Sequence, residues 1–212
     1  MPNAPSPPPL PEPDINEKLF TASHAGDETL VKDLLLAGAS DKYRDGIGNT
    51  ALMEAASLGK DSIVVMLLYG AELNTQNHDG DTALHKAARG GHNEVITTLI
   101  ANGADLKIQN KDLDTALHKA ARGGHNDVIK TLIENGADLN IQNKDLETAV
   151  LCAAERGHNQ VVIKLFLSGA DMNKQNKDWE TPAHAPIARL VISLFNIINH
   201  NHTILILITI EQ

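Results

Sequence analysis

Thr82-Ala83-Leu84-His85-Lys86-Ala87-Ala88-Arg89-Gly90-Gly91-His92 returns unchanged as Thr115-Ala116-Leu117-His118-Lys119-Ala120-Ala121-Arg122-Gly123-Gly124-His125. The copying continues beyond this block. Val95, Ile96, Leu99 and Ile100 correspond to Val128, Ile129, Leu132 and Ile133, and Asn102-Gly103-Ala104-Asp105-Leu106 to Asn135-Gly136-Ala137-Asp138-Leu139. The same six letters, Ile-Gln-Asn-Lys-Asp-Leu, close both copies. A fixed period of 33 residues is the signature of stacked supersecondary units, each burying its apolar face only against its neighbours. Function therefore has to be argued from the array, not from an isolated site.

The threonine that opens each unit carries the period outward, at Thr50, Thr82, Thr115, Thr148 and Thr181, with spacings of 32, 33, 33 and 33. The pattern resembles the ankyrin repeat family, whose signature reads Thr-Pro-Leu-His-x-Ala-Ala, then Gly-His, then paired aliphatics, then Gly-Ala-Asp. Alanine replaces the proline in four units, and Thr-Pro itself occurs at Thr181-Pro182. The likeness spans roughly residues 15–185. It implies an all-α solenoid of helix-turn-helix units joined by short hairpin loops, with about five to six repeats. They fall at about 15–40, 48–73, 80–106, 113–139, 146–172 and, in degenerate form, 179–199.

Bulk composition narrows the function classes. A net charge of -9 with no cluster of Lys or Arg is a poor footprint for a phosphate backbone, so no nucleic-acid partner is expected. The lone cysteine, Cys152, rules out an intramolecular disulfide and suits a reducing compartment, which makes the cytoplasm the default expectation. The start of the chain shows no basic-then-apolar signal, and no run of 18 charge-free apolar residues could cross a bilayer as a helix. A soluble monomer is expected.

Seven of the nine prolines lie in residues 1–13, where fixed φ and missing donors predict an extended polyproline-type tail. Its Pro8-Pro9-Leu10-Pro11 string resembles a WW-domain ligand, but short proline strings match such patterns often and a plain linker is the expected reading. Asp14 followed by Glu17 predicts a capping box at the first helix. Leu19, Ala22, Gly26, Leu30, Val31, Leu34, Leu35, Gly38 and Ala39 align with the repeat and mark a degenerate first unit. In the second unit the 32-residue step maps to Tyr69-Gly70-Ala71 and should leave both helices intact. The fifth unit predicts helices over 148–156 and 159–167. In the sixth, Pro186 sits inside what should be the first helix, predicting a short first turn, an interruption and an irregular closing helix over about 187–198. Residues 201–212 form an apolar tail whose 204–210 run has strand composition but a period that fits a buried helix as well; it is expected to cap the last repeat, to be a sticky disordered end, or to contact a partner or membrane.

The recurring residues have structural jobs before functional ones. Threonine can cap backbone N–H groups, and the histidine three positions on can share its hydroxyl, as in Thr82 with His85, Thr115 with His118 and Thr181 with His184. Met53 and Leu151 lack that imidazole. His85, His92, His118, His125 and His158 recur because the repeat recurs, so neither a metal site nor any other cofactor is expected. Cys152, in the register of Lys86 and Lys119, is expected to be a half-exposed, passive thiol. No phosphate loop or nucleophile elbow is present, and no enzymatic activity is expected.

The resemblance implies that hairpin tips and first helices form a concave binding face. The positions free to vary there are Tyr43, Arg44, Ile47, His78, Asp79, Asp81, Lys111, Asp114, Lys144, Glu147, Lys177 and Glu180. The helices add Glu54, Leu58, Lys86, Arg89, Lys119, Arg122, Glu155 and Arg156. Where Gly80 stands in one unit, the next three carry Leu113, Leu146 and Trp179, a departure from the family pattern. These three pack hairpin against hairpin, or are merely tolerated at the surface, or, with Lys86, Arg89, Lys119 and Arg122, grip an acidic and apolar protein surface. The function this implies is a non-catalytic protein-interaction module acting as an adaptor, inhibitor or effector. The competing readings are a membrane or assembly role for the tail, or part of a longer repeat protein.

Overall fold

A computed structural model describes residues 14–184. Its described residues are helical and contain no strand. The helices are α1 (Ile15–Ala25), α2 (Glu28–Leu36), α3 (Ala51–Ser57), α4 (Asp61–Leu67), α5 (Ala83–Gly90), α6 (Asn93–Ala101), α7 (Ala116–Gly123), α8 (Asn126–Glu134), α9 (Ala149–Glu155) and α10 (Asn159–Leu167). A single 3₁₀ turn, Pro182–His184, follows. The odd-numbered helices pack in one row and the even-numbered ones in a second row behind it, each helix touching its row neighbours and its own partner.

Side-chain volume explains the two rows. Ala55, Ala56, Ala87, Ala88, Ala120, Ala121 and Ala153 are fully buried in the first row, where a single methyl lets backbones approach closely. Val64, Val95, Ile96, Leu99, Val128, Ile129, Leu132 and Leu165 fill the layer behind them. The core is thus one continuous strip along the array, with no break that would divide it.

Loop geometry repeats with equal regularity. Gly91 and Gly124 close α5 and α7 in the left-handed region, at φ 76° and 71°. In the third and fourth hairpins Asn77 and Asn110 do the folding. The Asn110 Oδ1 accepts the N–H groups of Asp112 and Asp114 at 3.0 and 2.9 Å, which bends the chain into a tight turn. Asn77, Asn143 and Asn176 repeat the arrangement. Each tip then bonds to the one before it: Lys111 N to Asp79 O at 2.9 Å, Lys144 N to Asp112 O at 2.9 Å and Lys177 N to Asp145 O at 3.0 Å.

The structure corrects two local expectations. Asp14 occupies the N-cap position of α1, but its carboxylate takes the side-chain amide of Asn16 and no backbone N–H, so the capping box with Glu17 does not form. The short second repeat loses helix as well as loop: α4 has 7 residues where α6 has 9. In the fifth unit α10 covers the expected residues and α9 lies within them. The short first turn of the sixth unit appears as Pro182–His184. The proline-rich tail, the closing helix after Pro186 and the 204–210 run lie outside the described residues.

Candidate protein-binding face

The starts of α5 and α7 in the first row are locked from the inside. In the third unit the Thr82 hydroxyl lies 2.9 Å from His85 Nδ1, and the Thr82 N–H donates to the same nitrogen at 3.2 Å. His85 Nε2 then donates to the carbonyl oxygen of Asp114 in the next unit at 3.0 Å. His118 repeats this with Thr115 and Glu147, and His184 pairs with Thr181. Burial lowers the pKa of both His85 and His118, which keeps the rings neutral. The second set of histidines works between units. His92, His125 and His158 donate Nε2 to the carbonyls of Ser57, Arg89 and Arg122 at 2.9, 3.0 and 2.9 Å.

Leu113, Leu146 and Trp179 occupy an unusual backbone state. Their φ values are 58°, 60° and 63°, the left-handed region in which Gly48 and Gly80 sit at the equivalent turns. A bulky side chain there meets the following carbonyl and costs roughly 1–2 kcal/mol. Nor are these side chains compensated by burial, being 43%, 46% and 76% exposed. Sequence reading marked the three positions by their departure from glycine. It missed the backbone strain, for which Gly48 and Gly80 in the same register are the signal.

The basic residues divide into two groups. Arg122 bridges two carboxylates, with Nη1 on Asp114 and Nη2 2.8 Å from Glu147, and Lys119 adds a contact to Asp114 at 3.1 Å. Burial raises the Asp114 pKa. Asn143, Arg122 and Lys119 outweigh it and hold the carboxyl below its ordinary range. The same balance, with Asn143 and Arg122 against burial, lowers Glu147. Lys119 and Arg122 are therefore engaged within the array. Lys86 and Arg89 carry no ion pair among the described residues, Lys86 half-buried and Arg89 exposed. At the tips, Lys144 lies 3.8 Å from Asp112, whereas exposed Lys111 has no ion pair among the described residues.

Three positions differ from the sequence reading. Asp81 and Asp114 are not free surface positions. Both are buried, and their carboxylates accept Asn110 Nδ2 at 2.7 Å and Asn143 Nδ2 at 3.0 Å. Cys152 is not half-exposed: it is buried beside Glu147, with Sγ 3.4 Å from Oε2, and burial pushes its thiol pKa far up, away from thiolate chemistry. Further along the face, burial and then Glu147 push Glu155 up to about 6.

Comparison with known proteins agrees with this geometry. The family described as ankyrin repeats (three copies) matches in overlapping stretches, residues 19–110, 52–143, 99–176 and 117–198. The E3 ubiquitin-protein ligase XBAT33 of Arabidopsis thaliana is 41% identical over 87 residues, 40% of this chain and 17% of that protein. The probable E3 ubiquitin-protein ligase XBOS33 of Oryza sativa subsp. japonica is 40% identical over 87 residues, with the same shares. The ankyrin repeat domain-containing protein SAT10 of Stachybotrys chartarum is 36% identical over 90 residues, 42% of this chain and 5% of that one. In each case the match spans less than a fifth of the relative's length. With repeats matched across residues 19–198 and ten described helices in paired rows, the chain belongs to the ankyrin repeat family.

Proposed function

We propose that this chain is a non-catalytic protein-binding module that acts as an adaptor, inhibitor or effector. It would present its hairpin tips and first-row helices to a partner protein carrying acidic and apolar groups. The observation that carries this reading is the row of exposed Leu113, Leu146 and Trp179 on backbone positions that glycine would fill with less strain. Lys111 and Lys144 supply positive charge on the hairpins of Leu113 and Leu146, Lys86 and Arg89 supply it one repeat before Leu113, and the ion-paired Lys119 and Arg122 lie among them. A scaffold whose tips are already hydrogen-bonded to one another has little ordering left to lose on binding, which favours affinity. The matches to proteins named as ubiquitin ligases cover 17% of their length and lend support to repeat-mediated binding, not to ligase chemistry.

The test is affinity capture with the wild-type chain beside two variants, Leu113→Ala/Leu146→Ala/Trp179→Ala and Lys86→Glu/Arg89→Glu, each checked for native helicity. A partner held by the wild type and lost from either variant supports the reading. Capture indifferent to both variants removes it.

A further inference from the structure

We propose that the cleft between Leu146 and Trp179 is a docking groove for an acidic peptide segment of a partner protein, which seats one large apolar side chain between the two tips. This deepens the module reading above and rests on it. The cleft has a volume of about 550 Å³, within the range of roughly 300–1,000 Å³ typical of ligand pockets. Leu146 and Trp179 form its apolar walls, Gln142 and Gln175 contribute amides, and Lys174 and Lys177 contribute charge. Among the described residues no carboxylate lines it, in a chain that carries 27 acidic residues against 18 basic ones. Lys177 pairs with exposed Asp145 at 3.0 Å, while Lys174 has no ion pair among the described residues. Lys174 thus places a cation without an ion pair among the described residues at an apolar slot, and an acidic segment is its electrostatic complement.

A break in the repeat points the same way. The side-chain amides of Gln76, Gln109 and Gln142 donate to the carbonyls of Gly80, Leu113 and Leu146 at 2.7, 2.7 and 2.6 Å. Gln175 holds the equivalent register, yet its amide makes no hydrogen bond among the described residues. It lines the cleft with a donor and an acceptor available to an extended peptide backbone. The Trp179 wall is the most exposed of the three left-handed tips, so the fold draws least from it.

The experiment selects peptides of about 12 residues from a random display library on the full chain, then measures their affinity by fluorescence polarisation for wild type and variants. The expected peptides place an aromatic or leucine residue among Asp and Glu. Trp179→Gly should weaken them by at least about tenfold while raising the thermal midpoint, and Lys174→Glu should weaken them with a reduced salt dependence. No selected peptide, basic peptides, or affinity unchanged by Trp179→Gly would overturn the proposal. Peptides that lose affinity with Lys86→Glu/Arg89→Glu but not with Trp179→Gly would sink the groove and leave the module reading standing. A dimer in sedimentation that Trp179→Gly dissolves would assign the cleft to self-association and also overturn it.

Discussion

His118 Nε2 lies 3.1 Å from the carbonyl oxygen of Glu147, so the imidazole that closes one helix start also ties down the following hairpin. Repeat five lacks this device. Leu151 stands in the histidine position, and the Thr148 hydroxyl is buried with no hydrogen-bond partner among the described residues. His118→Leu should reproduce that defect and cost about 1–3 kcal/mol, the penalty of orphaned buried polar groups. Leu151→His should reverse it at Thr148 and stabilise by roughly 0.5–2 kcal/mol, the range of a helix N-cap. Urea denaturation midpoints measure both, and a loss of stability in Leu151→His would mean that the apolar contact outweighs the cap.

The same histidines set a pH dependence. Burial depresses His85 and His118 below the ordinary imidazole value, so the unfolded chain binds protons more readily than the fold does. Their contribution is complete above about pH 6.5 and is lost as pH falls below it toward the depressed folded values. Glu155 acts oppositely. Burial and Glu147 push it up to about 6, above the ordinary glutamate range, so its charged form strains the fold and protonation relieves it. Glu155 is exposed and its share is screened, so the buried histidines should dominate. Stability should fall between about pH 7.5 and 5.5, and the His85→Leu/His118→Leu variant should fall less over that interval. Parallel urea titrations at the two pH values decide it, and equal slopes would remove the histidines from the account.

What the sequence made legible follows from periodicity. The 33-residue copying placed α5, α6, α7 and α8 as paired helices of successive units. The candidate tips were legible as well, because Leu113, Leu146 and Trp179 break a glycine register. Pairing across repeats was not. Asp114 reads as a variable loop residue, and only the stacked geometry brings Arg122, Lys119 and Asn143 onto its carboxylate. The part played by Asn77, Asn110, Asn143 and Asn176 was not legible either, since an asparagine that folds a hairpin through its own side chain leaves no hydrophobic period to detect.

Two glycines with similar backbones should respond differently to alanine. Gly136 at φ 82° faces open space, so Gly136→Ala should cost only the left-handed strain, about 1 kcal/mol. Gly91 at φ 76° would place a methyl 2.6 Å from His125 Nδ1, the ring that donates to Arg89 O. Gly91→Ala should add a packing penalty of about 1–3 kcal/mol to the strain. Equal losses in thermal or urea unfolding would show that the imidazole yields without cost.

The Arg122 bridge gives the sharpest energetic contrast between two chemically identical side chains in equivalent repeat positions. Asp114 has no exposed side-chain surface, and its charge is tolerated because Arg122, Lys119 and Asn143 all reach it. Removing the guanidinium in Arg122→Ala leaves that carboxylate short of one cation and also strips Glu147 of its 2.8 Å partner. Because Arg122 itself is partly exposed and Lys119 remains, the expected loss is about 2–4 kcal/mol, toward the lower end for breaking a buried pair. Arg89, its exposed counterpart one repeat earlier, has no ion pair among the described residues, so Arg89→Ala should stay within about 0.5 kcal/mol of wild type. Asp114→Asn placed in the Arg122→Ala background should recover part of the loss, since a neutral amide no longer needs the missing cation. If Arg122→Ala proves as mild as Arg89→Ala, the Asp114 charge is being held by Lys119 and Asn143 alone, and Arg122 is then free to serve a partner.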